Sequence, residues 1–168
     1  MHEHRTGLGA EHRLCDTVQL VMILLFFGVW TIDFALQLLF KTSSVIISFI
    51  VFPLLLVPAV LTSAFGVYLA LKSHELVFSE KATVAENEVI DCGVYSWVRH
   101  PMYLGTLLFC LGFFFASLSM ASLLVWIAFF LMYEKMTRYE ENELTRVLGS
   151  KYTKYKKRVP KWIPKLKK

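Results

Sequence analysis

Residues 102–133 run for 32 positions without a charged side chain. Few folds can hold such a stretch. A water-soluble domain would have to enclose it on every side, whereas a bilayer accepts it as it stands. As one helix it would reach about 48 Å, well beyond the roughly 30 Å of hydrocarbon to be crossed. Ser117-Leu-Ser-Met-Ala-Ser122 places small and polar residues in its middle, so the run reads as a tight helical hairpin, each arm near or below spanning length. Gly112 and Ala116 add a small-xxx-small spacing that lets helices approach closely.

Two more apolar runs come first. Val18–Phe40 is long enough to span, and Asp33 and Gln37 lie on one face within it. A carboxyl there should face protein or water, protonated or hydrogen-bonded to a neighbouring helix, in a structural role. After the polar turn Lys41-Thr-Ser-Ser44, Val45–Leu71 forms a second span in which Pro53 and Pro58 predict a kink or local break. With 56% hydrophobic residues and a mean hydropathy of +0.53, the 168-residue chain reads as all-α. The expected fold is a polytopic integral membrane protein of about four transmembrane helices in a single domain. It comprises a polar N-terminus (1–16), two N-terminal spans (17–72), then a loop, the hairpin and a basic tail with a cytoplasmic helix (73–168).

Some features carry no function. The polar start is too long to precede a signal's h-region, and His2, His4 and His12 within it are assigned no role. Cys15, Cys92 and Cys110 are odd in number and lack CxxC or Cys/His spacing, which supports neither a disulfide framework nor a metal site.

The net charge of +5 is unevenly placed. Four spans put the N-terminus, the polar Lys72–Arg99 connection and the tail on one side, together with every Lys and Arg except Lys41. The positive-inside rule makes that side cytoplasmic, and an odd number of spans would spoil the asymmetry. The charge thus marks topology and an anionic lipid surface, not nucleic acid. The tail from Ser150 onward, with nine Lys/Arg beside Tyr152, Tyr155 and Trp162, reads as interface-hugging.

The same sidedness joins two charged stretches that flank the hairpin. One is Gly93-Val-Tyr-Ser-Trp-Val-Arg-His-Pro-Met-Tyr-Leu-Gly105, in which Pro101 starts a helix and sets Arg99 and His100 at its entry. The other is Arg138-Tyr-Glu-Glu-Asn-Glu143, within an amphipathic Glu134–Leu148 helix capped by Gly149. Separately they read as an interfacial anchor and a solvated helix face. Together they make a polar pocket with aromatic walls and both signs of charge, suited to a zwitterionic or cationic cofactor and an amphipathic substrate.

These two stretches, followed by Gly149-Ser-Lys-Tyr-Thr-Lys-Tyr-Lys-Lys-Arg-Val-Pro160, resemble the isoprenylcysteine carboxyl methyltransferase family. They are also similar to its wider relatives, which include phospholipid N-methyltransferases. The resemblance covers Asn87 to Pro164 and implies an integral membrane enzyme using S-adenosylmethionine. It implies that Asn87, Glu88, Val89, Ile90, Tyr95, His100, Pro101, Met102, Tyr103 and Glu140 line the cofactor site. Arg99, Glu141 and Arg138 are the candidate catalytic residues. The acceptor implied is a lipophilic or lipidated molecule, with a prenylcysteine carboxylate leading and phospholipid or other N-, S- or O-methylation as alternatives. Met136 stands where the family usually places an arginine, which leaves another lipophilic acceptor open. A sterol-reductase-like enzyme using NADPH and a non-catalytic lipid-binding scaffold are the readings from other classes.

Overall fold

The computed structural model describes residues 13–40, 43–78 and 89–164, and every regular element among them is helical. Five α-helices follow in order: α1 (Arg13–Phe40), α2 (Ser43–Phe78), α3 (Pro101–Ser117), α4 (Met120–Leu148) and α5 (Ser150–Arg158). A 3-10 turn, Gly93–Ser96, precedes α3. Among the described residues three stretches are long and apolar enough to cross a membrane, Thr17–Phe40, Pro53–Val77 and Met120–Leu148. The 17 residues of α3 are apolar too, at about 25 Å the lower edge of spanning length. Leu24, Ile32, Leu39, Leu54, Leu61 and Leu124 stand exposed on the outer faces. Such surfaces are a liability in water and ordinary against acyl chains. The chain is an all-helical membrane protein.

The hairpin forms where the sequence places it, with its turn at Leu118 and Ser119. Leu118 adopts the left-handed conformation at φ 51°. Ser119 caps α4 by accepting the Ser122 amide at 3.1 Å, and the Ser122 hydroxyl donates to the Ser119 carbonyl at 2.8 Å. Ser117, Ser119 and Ser122 are all buried, so the turn has to satisfy its polar groups internally. Trp30 of α1 adds its indole N–H, which donates to Ser117 Oγ at 2.8 Å.

Two expectations are corrected. The second arm does not end at Tyr133: α4 continues unbroken through the charged Glu134–Leu148 stretch to Gly149, whose φ is +56° and whose amide bonds the Thr145 carbonyl. Nor do Pro53 and Pro58 break α2, which also runs past Lys72 into the expected polar connection. A helix in hydrocarbon has no better way to satisfy its amides than to stay helical. Thr62 supports this stretch by donating to the Pro58 and Ala59 carbonyls. The turn at Lys41 and Thr42 lies outside the described residues.

α2 and α3 meet backbone to backbone through glycine. A methyl group placed on Gly66 would sit 2.5 Å from the Gly105 carbonyl oxygen, and one on Gly105 2.6 Å from that of Gly66. Gly112 meets Ala59 and Ser63 of α2 in the same way. Helices in lipid gain no hydrophobic energy from pairing, so close packing of this kind must hold them together. α1 closes the bundle with aromatic rings. Phe26 is buried with Phe129 and Tyr133, and Phe27 lies edge-on to Phe113 at 4.9 Å. Within α1, Gln37 donates to Asp33 at 2.8 Å, the two residues meeting on the helix face they share.

Candidate functional site at the polar end of the hairpin

The first turn of α3 and the charged half of α4 emerge side by side. Pro101 opens α3, its missing amide costing nothing at that position, and His100 stands just outside the helix. The core face of α4 runs through Phe129, Tyr133, Thr137 and Glu141, all buried at i+4 spacing. The motifs therefore meet through Glu141.

Glu141 is almost fully buried and accepts from three basic side chains. Arg99 Nε donates to Oε1 at 2.9 Å, His100 Nε2 lies 3.1 Å from the same oxygen, and Lys156 Nζ is 3.0 Å from Oε2. An ionised carboxylate only accepts, so His100 carries a proton on Nε2 in this arrangement. A second guanidinium nitrogen is used as well. Arg99 Nη1 donates to the carbonyls of Lys156 and Val159, both at 2.9 Å, and the Arg99 amide donates to the Pro160 carbonyl. Arg99 thus fastens α5 and the strand of chain after it to the bundle. A buried ion group of this kind stands because every charge has partners.

Glu140, next in the chain, has a different setting. Its side chain is about a quarter exposed, the Tyr103 hydroxyl donates to Oε1, and Oε2 lies 3.6 Å from His100 Nδ1. His100 and Tyr103 are stacked with centroids 5.9 Å apart, and Tyr103 stacks in turn on Tyr133 at 4.6 Å. Trp162 lies 6.0 Å from the His100 ring. This side of the cluster offers a partly exposed carboxylate, a phenol, an imidazole edge and an aromatic wall. Such groups fit a cofactor with a sulfonium, an amino group and sugar hydroxyls.

The remaining candidates fall into three positions. Pro101 and Met102 stay with the cluster through the start of α3, Pro101 buried and Met102 packed against the core. Val89 and Tyr95 sit toward α5. Val89 packs on the buried Leu148, Tyr152, Tyr155 and Val159, while the Tyr95 hydroxyl pairs with Ser73 at 2.7 Å and its carbonyl accepts from Tyr155 at 2.8 Å. Burial pushes the phenols of Tyr152 and Tyr155 above their ordinary range, which keeps Tyr155 a neutral donor. Ile90 is half-buried in the same approach. Asn87 and Glu88 lie outside the described residues.

Arg138 is not brought to the cluster. It follows the buried Thr137 by one position, about 100° around the helix, and its exposed guanidinium pairs with Glu134 at 2.9 Å. Three residues that sequence reasoning assigned to the interface or to solvent belong to this end instead: Lys156, Glu134 and Trp162. The two prolines around Lys161-Trp-Ile163 were the available signal, since they stop a helix without making the segment mobile.

Comparison with known proteins adds an independent line. Protein-S-isoprenylcysteine O-methyltransferase of Mus musculus is 30% identical over 98 residues, 56% of this chain and 33% of that protein. Its counterpart in Saccharomyces cerevisiae is 32% identical over 81 residues, 48% of this chain and 34% of that protein. In Schizosaccharomyces pombe the figures are 33% over 81 residues, 45% and 33%. The chain thus spans about a third of the length of these curated relatives. No solved structure matches it. Residues 48–151, from within α2 to the start of α5, match the family described as phospholipid methyltransferase, and the chain belongs to that family.

Proposed function

We propose that the chain transfers a methyl group from S-adenosylmethionine to a lipophilic acceptor drawn from the bilayer, with the carboxylate of a prenylcysteine-like molecule as the leading substrate. One observation carries this reading. The polar end of the hairpin holds Glu140, Tyr103 and His100 beside an aromatic wall, braced by the ion cluster around Glu141. The names of the relatives, isoprenylcysteine O-methyltransferases, support the acceptor.

Residues 87–90 with Tyr95, His100, Pro101, Met102, Tyr103 and Glu140 are the proposed cofactor contacts. The cofactor, when bound, supplies an electrophilic methyl group. The chain contributes orientation and dehydration: two reactants held in line save much of the entropy of a bimolecular displacement. Glu140 is the carboxylate available to a cofactor amino or hydroxyl group, because Glu141 already has three basic partners. Arg99 and Glu141 act by fixing the position of His100 and of the chain after α5. A carboxylate acceptor needs no general base, so the cluster has only to exclude water and align it. The charge asymmetry supports a cytoplasmic side, facing anionic lipid, for the termini and the site.

A second reading is methylation of a phospholipid amine. It draws on the family match and on Met136, which stands at the position of the usual arginine. An amine acceptor must lose a proton, and His100 Nδ1 and Glu140 are the groups that can receive it. Methyl-labelled S-adenosylmethionine separates the two. Detergent-solubilised protein should label an S-prenylated N-acetylcysteine with methyl groups that alkali releases as methanol. Alkali-stable label in phosphatidylethanolamine would replace the first reading by the second, and no transfer to either by folded protein would overturn both.

A further inference from the structure

Beyond Pro160 the chain is fastened a second time, and this fastening is separate from the Glu141 cluster. Glu134, near the middle of α4, accepts from three side chains. Arg138 Nε reaches Oε1 at 2.9 Å, while Oε2 takes Lys161 Nζ at 2.9 Å and the Trp162 indole N–H at 2.8 Å. Two of these three come from the segment after α5. Lys161 is largely buried, which its type seldom is without such a partner. The indole that results packs at a tilt against two rings, 5.7 Å from Phe130 and 6.0 Å from His100, and Lys161 Nζ, paired with Glu134, lies over it at 5.8 Å. Arg99 grips the same segment just upstream, through the carbonyls of Val159 and Pro160. The short stretch from Val159 to Trp162 is therefore pinned at both ends and cannot place its indole freely.

A surface anchor would need no such arrangement. A tryptophan at the headgroup level keeps its N–H toward water, whereas here a carboxylate directs the ring toward the site. Tryptophan also has the aromatic face best suited to a cation. We propose that Glu134 is a positioning residue that sets Trp162 as an aromatic roof beside His100, and that this roof recognises the positive sulfonium of the cofactor. The inference rests on the S-adenosylmethionine reading above and adds how the chain tells the charged cofactor from its neutral product. S-adenosylmethionine carries the sulfonium, whereas S-adenosylhomocysteine carries a neutral thioether. The roof therefore favours the substrate form and lets the spent form leave.

Equilibrium binding of both ligands to the full chain in detergent tests this. Trp162→Ala should weaken S-adenosylmethionine roughly tenfold and S-adenosylhomocysteine less than threefold. Trp162→Leu fills the space against Phe130 without an aromatic face and should show the same difference, so a folding defect in the alanine variant does not decide the matter. Glu134→Ala should reproduce the selective loss, whereas Glu134→Gln, which still accepts the indole N–H, should recover most of the affinity. In the Trp162→Leu background Glu134→Ala should add less than twofold, as expected for a residue acting through Trp162. Equal losses for the two ligands, or none, in variants that melt like the parent would overturn the roof and leave the cofactor reading standing. Failure of the parent itself to bind either ligand would overturn both.

Discussion

The contact between α2 and α3 and the cluster around Glu141, which joins the entry of α3 to α4 and α5, hold the molecule together by opposite means. The first depends on side chains that are missing. Gly66 and Gly105 bring two backbones so close that a single added carbon would collide with a carbonyl. The second depends on side chains that cannot be spared, since Glu141 is buried among Arg99, His100 and Lys156. The contrast follows the surroundings. In hydrocarbon, pairing gains little from burying apolar surface, so shape decides; at the polar end, charge decides, and each ion must keep its partners. One contact makes the bundle, the other makes the site.

Breaking the first should cost most. Gly105→Val forces the α2 and α3 backbones apart, with a loss above about 3 kcal/mol, and little folded protein should survive detergent extraction and size exclusion. Arg99→Ala comes next. It strands part of the charge on Glu141 and releases the carbonyls of Lys156 and Val159, a loss of about 3 kcal/mol that lowers the melting temperature by roughly 6–12 °C. Proteolysis should then cut after α5 where the parent resists.

Glu140→Gln sharpens the comparison, because it changes the site while leaving the glycine contact and the three basic partners of Glu141 in place. Its melting temperature should stay within about 3 °C of the parent while affinity for S-adenosylhomocysteine falls roughly tenfold. Glu141→Gln should do the reverse in proportion, losing stability first. Smallest is Arg138→Ala, which removes an exposed pair worth under about 1 kcal/mol and should change ligand affinity less than threefold.

How far these features were legible in the sequence follows the same divide. The meeting of the Arg-His-Pro stretch with the glutamates could be read, because an apolar run too long for one crossing must fold back and charge asymmetry then fixes the side. Gly112 was also visible as a place of close approach. Its partner was not, since spacing within one helix says that something can come near and not what; Ala59 and Ser63 are some fifty residues away. The split between Glu140 and Glu141 was hidden for a related reason. Neighbours on a helix point about 100° apart, and only the placement of Arg99 decides which one faces inward. Of the kink or break expected at Pro53 and Pro58, the break does not occur, because α2 stays helical in surroundings that offer its amides nothing else. Arg138 is near the glutamates in sequence, but its pairing is with Glu134 one turn back, which spacing alone did not reveal.

The most direct measurement is calorimetric titration of the folded, detergent-solubilised chain with S-adenosylhomocysteine, beside Glu140→Gln and Arg138→Ala. Saturable binding that Glu140→Gln weakens and Arg138→Ala keeps is the expected result for a cofactor site built on His100, Tyr103 and Glu140. A folded protein that shows no saturable binding, or one whose binding is insensitive to Glu140, would contradict it.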